Sequence, residues 1–531
     1  MNNQIKHFAA FLCAAVALVF LCMFTANVKA DDDAVDLGSG YVMIQNGEAT
    51  LYGYSGDETL ESLGISYDSD TMTLTLDNVN VITTGTFIQC IDGTSKDTLT
   101  IKLVGDNSVE SRCFATNFRS AIYTTGGSLK FDGNYLISCG YATTVEDLII
   151  TGAVKYLFSV SNDVTMTNVT LDVTSQDTST LIQAGQKLTI EDSNIKASTL
   201  GGLACGTYGL TIENTTIEAT YGDYCFTSGY DIVIVDSNIT VTGQASTFST
   251  GDNVEISGST FTATTTGSNC YGINVGDDIT ITDSEVTLND YVTGLEAANI
   301  YLDKSKLNLN VTKYGICSTR NPLTINDGKI VINATGDNAI GIDTAYNAFT
   351  INGGTIIINT SNKAVFNTTE SNITISDRVS VKAGDSSDSL TTAEVADLLT
   401  NKCCAIQCLH VDEAGEDATS KVGTVDATTD KEGYTGDLVC SICLDVLEKG
   451  TAIDKLPSDD DDDDDDDENS DSKKNSDDDS KPDDDSNPDD TDDQVSGKDV
   501  GAGTSKGIAC ILTVIFGAGC IAVCVRRKEE F

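Results

Sequence analysis

Residues 188–197 read LTIEDSNIKA, residues 210–219 LTIENTTIEA, residues 232–241 IVIVDSNITV and residues 254–263 VEISGSTFTA. Positions one and three of each copy are apolar, as in Leu188 and Ile190, and so are positions eight and ten, as in Ile195 and Ala197. Position five is usually Asp, Asn or Gly: Asp192, Asn214, Asp236, Gly258, Asp283, Asp327. Alternation on both sides of that position predicts two short strands, each with one buried face. Asp, Asn and Gly between them predict a turn. About ten residues rich in Gly, Ser, Thr and Tyr follow, often with a third apolar piece such as Tyr271-Gly272-Ile273 or Tyr314-Gly315-Ile316.

Working outward, further copies start at Ile279, Ile300, Leu323, Phe349 and Ile373, and weaker ones at Leu74, Leu99, Leu129, Leu148 and Val164. These fourteen starts span 299 residues, a mean period of 23. Three short strands per period describe one coil of a parallel β-helix. A single coil cannot bury its inward side chains, but stacked coils can, each strand pairing with its copies above and below. The predicted class is therefore all-β: a right-handed, three-stranded, pectin-lyase-like solenoid over residues 74–381, roughly 65 Å long at the strand spacing. A leucine-rich repeat has an overlapping period. It wants Asn or Cys where this chain has Ser193, Thr215, Ser237, Ser259, Ser284 and Ser305, so it is set aside. The outward Thr189, Thr211, Thr280, Thr324, Thr350 and Thr374 read as β-branched residues on a solvated strand, with a flat recognition face as the alternative. Residues 31–73 are expected to cap one end. Residues 382–407 lose the pattern, and Thr391 to Asn401 is expected to form a short helix over the other open edge.

The ends set the topology. Residues 1–30 carry Lys6, an apolar run from Phe8 to Phe24 and Val28-Lys29-Ala30, the pattern of a cleaved signal peptide. Gly507 to Val525 is 19 uncharged residues, about 28 Å of helix and enough to span a membrane. Arg526, Arg527 and Lys528 open a cytoplasmic tail, 526–531, which leaves the rest of the mature chain outside. Within 458–506, residues 459–493 hold 21 Asp or Glu against 3 Lys. Such a segment repels itself and is expected to be a disordered stalk, with a weak cation sink as the alternative.

Composition narrows the chemistry. With 31 Lys and Arg against 81 Asp and Glu, the net charge of −50 excludes nucleic acid as a partner. His7 and His410 are the only histidines, so the repeats hold no Ser-His-Asp triad. A lyase needs a cationic base beside clustered carboxylates, yet Arg112, Arg119, Arg320 and Arg378 are scattered, with no acidic cluster expected at matching coil positions. Asp277-Asp278, the best adjacent pair for a hydrolase, stands at a turn. The expectation is a non-enzyme. Tyr208, Tyr224, Tyr271 and Tyr314 recur near the third strand and are candidate sugar-stacking rings; filling coil corners is their other reading. Turn aspartates could hold Ca²⁺ between coils, although isolated ones mostly favour the turn.

Seven cysteines in the repeats, Cys90, Cys113, Cys139, Cys205, Cys225, Cys270 and Cys317, are odd in number and widely spaced. They read as buried fillers, and Cys205 and Cys225 could meet on adjacent coils. In a small module over 408–457, Cys408, His410, Cys440 and Cys443 form two close pairs separated by a loop, a spacing that suits zinc. Disulfides among these and Cys403 or Cys404 are equally open outside the cell.

The stretch ISYDSDTMTLTLDNVNV, 65–81, with the LTI repeats that follow, resembles the carbohydrate-binding-type β-helix domains on surface proteins of Gram-positive gut bacteria, over roughly residues 40–380. The segment ATTDKEGYTGDLVCSIC, 427–443, resembles a small Cys-containing module found near the C-terminus of such proteins. The Gly-rich lead, apolar span and Arg-Arg-Lys end resemble a Gram-positive surface anchor without an LPxTG ahead of it, which implies retention by the helix itself. The resemblance implies a glycan or surface-polysaccharide partner. A passive spacer and, further off, a polysaccharide lyase or glycosidase are the alternatives. The same outline fits a eukaryotic type I membrane protein, with Asn-x-Ser/Thr sites at Asn168, Asn214, Asn238 and Asn372.

Overall fold

A computed structural model describes residues 34–345, 347–361 and 364–456. The expected signal peptide, stalk, spanning helix and tail lie outside the described residues. Among the described residues no helix is long and apolar enough to cross a membrane. The described residues divide into two compact units: one runs to Thr419 and includes Cys440–Asp445, and the other holds Ser420–Val439 and residues 446–456.

The first unit is a parallel β-solenoid. The copy at 188–197 becomes the strands Leu188–Glu191 and Asn194–Thr199, and Ala204–Gly206 supplies the third. Leu188 pairs in register with Leu210, Leu210 with Ile232, and Ile232 with Val254, always in parallel. Fifteen strands form this first sheet, and only its outermost pair, Ile65–Asp68 with Thr73–Asp77, is antiparallel. Second and third strands join the other large sheet, some of them continuous round the corner, as in Ser305–Ser318. Leu188, Ile190 and Ile195 are fully buried and Ala197 nearly so. Burying each Ile or Leu contributes about 1.5–3 kcal/mol, which one coil alone cannot collect.

The turn between the first two strands is fixed by backbone conformation. Asp192, Asn214, Asp236 and Asp283 all have φ between 46° and 50°, and Gly258 has φ 59°. Asp, Asn and Gly are the residues that enter this left-handed region most readily. Their side chains also bridge coils: Asn214 Nδ2 donates to Asp192 Oδ1, and Asn168 Nδ2 donates to Asp147 Oδ1 at 2.7 Å.

The next position explains the hydroxyls that separate this chain from a leucine-rich repeat. Ser193, Thr215, Ser237, Ser259, Ser284 and Ser305 are buried in a continuous ladder. Each hydroxyl accepts the N–H of its equivalent on the preceding coil: Ser193 N–H to Thr215 at 3.2 Å, Thr215 N–H to Ser237 at 3.1 Å, Ser237 N–H to Ser259 at 3.0 Å. Each hydroxyl also donates to the carbonyl two residues earlier, as Ser237 does to Val235 at 2.7 Å. At the turn a backbone N–H would otherwise be buried without a partner, and the hydroxyl supplies one. On the outer wall Asn310 donates to Asn289, Asn333 to Asn310 and Asn359 to Asn333, at 2.8–3.1 Å.

Two weak repeat starts are misphased. Leu129 pairs with Asn107 and Ile150 and so belongs to the second strand of its coil; Leu148 lies just before the second strand of the next. The true first-strand equivalents are Ile122, paired with Leu99, and Thr143, paired with Val164. Two causes combine. Leu129-Lys130-Phe131-Asp132 imitates a first strand and its turn, within a 12-residue strand, Ser128–Cys139, that runs on into the third. Thr143 is a buried polar residue where the pattern wants an apolar one.

Both ends are closed by antiparallel strands, which remove a pairing edge. The hairpin Tyr41–Gln45 with Glu48–Tyr52 stands at one end and pairs onto Thr86–Cys90. At the other, Cys403–Cys408 runs antiparallel between Thr355–Thr360 and Val379–Gly384. The helix expected over Thr391 to Asn401 is only a 3₁₀ turn, Val395–Leu399, whose Leu398 is fully buried. The seven repeat cysteines are free, five of them buried. Register places Thr227, not Cys225, beside Cys205, so those two do not meet as a bridge.

The second unit is small. Asp437–Cys440 pairs antiparallel with Val446–Glu448, and Gly433–Tyr434 with Ala452–Ile453. Asp437 organises it by accepting from the Tyr434 hydroxyl, from Lys449 Nζ at 2.8 Å and from the Gly450 N–H at 2.9 Å.

Candidate functional site

Cys408 ends the strand that closes the solenoid, and His410 follows on a left-handed turn, φ 61°. The His410 N–H donates to Cys408 Sγ at 3.2 Å, which holds that sulfur over the turn. Cys440 and Cys443 stand on a second tight loop, where the Leu444 N–H donates to the Cys440 carbonyl at 2.9 Å and the Cys440 N–H to the Asp445 carbonyl at 3.1 Å. This loop lies in the solenoid unit. The Gly328 N–H donates to the Ile442 carbonyl at 2.6 Å, and Lys329 Nζ pairs with Asp445 at 2.6 Å.

The four sequence-selected ligands converge. Each offers one atom, and those atoms all lie within 4.8 Å of one another. Cys408 Sγ and Cys440 Sγ are 3.9 Å apart; Cys443 Sγ and His410 Nδ1 are 3.6 Å apart. The three cysteines are buried and the imidazole is half-buried. The set could hold a metal ion, and with four protein ligands it would leave no open position for substrate. Burial pushes the Cys443 thiol up to about 12, and charge on Cys408 and Cys440 adds to the rise. Burial likewise raises Cys408. A bound cation inverts this balance and favours the thiolates. Around the ligands the apolar cluster is small: Cys408, Cys440, Ile442 and Cys443, with Ala418 against them. Ile442 alone contributes about 1.5–3 kcal/mol there, whereas a structural zinc contributes on the order of 10–16 kcal/mol in small domains.

The tyrosines separate into two groups. Tyr208 is 60% exposed and stacks on Tyr230, 50% exposed, with centroids 5.4 Å apart and planes 20° apart. Sequence reading missed Tyr230. The signal was there, since Tyr208 and Tyr230 each stand two residues before a first strand, Leu210 and Ile232. Tyr271 and Tyr314 share one register position with Thr293 between them. The Tyr271 N–H donates to Ser246 on the coil before, and Tyr224 sits level with Ser246 one coil further back. These three rings therefore occupy alternate coils about 10 Å apart, beyond stacking distance. Lys313 Nζ lies 4.4 Å from the Tyr314 centroid.

No protein family, curated protein or solved structure matches this chain.

The carboxylates need one correction. Glu110 and Asp132 do occupy matching positions on adjacent coils, beside Arg112, in a shallow cleft of about 540 Å³ that also takes in Thr84 and Asn134. The register could not be read while Leu129 was misphased. Asp132 accepts the Ala153 N–H at 2.7 Å and pairs with Lys130 at 3.8 Å, so its carboxylate is committed to the fold. Asp277 lies on a bend and Asp278 opens the strand that follows, Asp278–Thr282.

Proposed function

We propose that this chain is a non-enzymatic cell-surface solenoid of the Gram-positive carbohydrate-binding kind, carried on an acidic stalk and a C-terminal membrane helix. The observation that supports carbohydrate binding best is the Tyr208–Tyr230 pair. Two large rings remain exposed, nearly parallel and stacked on one another across adjacent coils. A sugar ring presents an apolar C–H face that an outer face of the stack accepts, while the phenol hydroxyls hydrogen-bond its rim. Tyr224, Tyr271 and Tyr314 supply a second column for a longer chain. A passive spacer is the other reading, favoured by the outer wall's asparagine ladder, whose amides satisfy one another. A glycan array probed with the ectodomain, residues 31–506, tests the proposal: binding lost in Tyr208→Ala and Tyr230→Ala supports it, and a blank array supports the spacer.

We further infer that the Cys/His set takes zinc. Tetrahedral zinc with Zn–S of about 2.3 Å and Zn–N of about 2.05 Å places sulfur atoms about 3.8 Å apart and sulfur about 3.6 Å from nitrogen. Two of the separations here are 3.9 Å and 3.6 Å, and all of them lie within 4.8 Å. A disulfide needs sulfurs about 2.05 Å apart. Metal analysis of the purified ectodomain is the test. About one zinc per chain supports the assignment; no metal with paired cysteines overturns it.

A further inference from the structure

We propose that the ion at Cys408, His410, Cys440 and Cys443 is a clasp that seats the Cys440–Asp445 segment on the last coils of the solenoid, an inference that rests on the zinc reading above. The topology motivates it. Among the described residues, 420–439 and 446–456 form a separate compact unit, yet the six residues between them belong to the solenoid. The chain leaves the solenoid nine residues after His410 and returns to it at Cys440. A metal bridging these two points closes the excursion at its base. In the surface-anchored reading, Asp445 is also where the solenoid connects to everything that leads to the membrane.

Little else holds the segment in place. Its attachments are the Gly328 N–H to the Ile442 carbonyl, Lys329 to Asp445, and Ser441, whose N–H and hydroxyl both donate to the Ala418 carbonyl at 2.9 and 3.0 Å. The Lys329–Asp445 pair is about one-third exposed on each side and therefore weak. Three of the four buried residues in the local apolar cluster are the thiols themselves. Packed without an ion, three thiols and an imidazole form a poor core. Around an ion they are a closed ligand set with two of its members on the segment and two on the solenoid's closing strand and turn. The Gly328 N–H is a local reporter, because its acceptor is on the segment.

The experiment uses the ectodomain, residues 31–506, purified with zinc, and follows backbone hydrogen exchange before and after chelation. Removing the ion is expected to speed exchange at Gly328 and Leu444 by roughly 100-fold while Ile212 and Ile234 in the central coils stay protected. His410→Ala should mimic chelation, and His410→Cys, which keeps four ligands, should restore both zinc and protection. Cobalt substitution should give the visible absorption of a tetrahedral thiolate site. If zinc is present but its removal leaves Gly328 protected, the clasp is refuted and the zinc assignment survives. If no zinc binds and the mass is lower by two or four hydrogens, the zinc assignment itself is refuted, and the clasp proposed here with it.

Discussion

Replacing Ser237 by Ala removes one rung of the buried hydroxyl ladder without changing the apolar core. The Ser237 hydroxyl accepts the Thr215 N–H at 3.1 Å and donates to the Val235 carbonyl at 2.7 Å. That carbonyl keeps a second donor, the Asn214 N–H at 3.0 Å. Among the described residues the Thr215 N–H has that hydroxyl as its acceptor, and Thr215 is 1% exposed. The cost is therefore that of one buried, unpaired N–H, about 1–3 kcal/mol. A loss of about 2 kcal/mol lowers the folded-to-unfolded ratio roughly 30-fold. Urea unfolding of residues 31–506 should show a lower midpoint at unchanged slope, and exchange at the Thr215 amide should accelerate. Ser237→Thr should be close to neutral, since Thr215 already fills the equivalent place one coil earlier. Ser198→Ala, on the exposed outer wall, should cost less than about 0.5 kcal/mol. A Ser237→Ala variant as stable as the parent, with Thr215 exchange unchanged, would refute the ladder as a stabilising element.

Gly258→Val should destabilise the solenoid by about 1–2 kcal/mol in the same urea assay, because a β-branched residue would be forced to φ 59°. Gly258→Asn should cost much less, as Asn214 occupies the same turn. Ile234→Ala, at a fully buried position, should cost about 2–5 kcal/mol by the same measurement. Tyr208→Ala should weaken glycan binding by roughly 3- to 10-fold in a titration, the worth of one ring contact, with the far-ultraviolet circular dichroism unchanged. In the second unit, Asp437 is held down to about 2, first by Lys449 and then by Tyr434. A carboxyl depressed on folding stabilises above its unfolded value near 4 and loses that contribution as pH falls toward 2. Acid titration followed by the Tyr434 resonances should show this loss, and Asp437→Asn should abolish it.

How much was legible follows from the physics of each feature. Strand alternation is written directly in sequence, so Leu188, Ile190, Ile195 and Ala197 could be placed inside before any coordinates. The left-handed turn was legible because so few residue types tolerate it. Coil phase failed where the second strand runs on into the third, at Leu129 and Leu148, and where Thr143 turns a polar side chain inward. That failure also hid the pairing of Glu110 with Asp132, since register must be known before two acidic residues can be called neighbours. Cys408, His410, Cys440 and Cys443 were legible as a set because His410 is the one histidine besides His7 and the four residues fall in two tight pairs. Their attachment to the solenoid was not, because it depends on the Gly328 backbone, which has no side chain to announce it. The hydroxyls at Ser193 to Ser305 were visible only as what a leucine-rich repeat lacks; their role needs the stacking of one coil on the next.

The most direct test is to hold residues 31–506 against an immobilised polysaccharide that scores on the array, and to measure retention and released products together. Saturable retention is expected, lost when Tyr208 and Tyr230 are both changed to Ala, with the polymer left intact. Release of reducing ends or unsaturated sugars, or retention indifferent to both tyrosines, would contradict it.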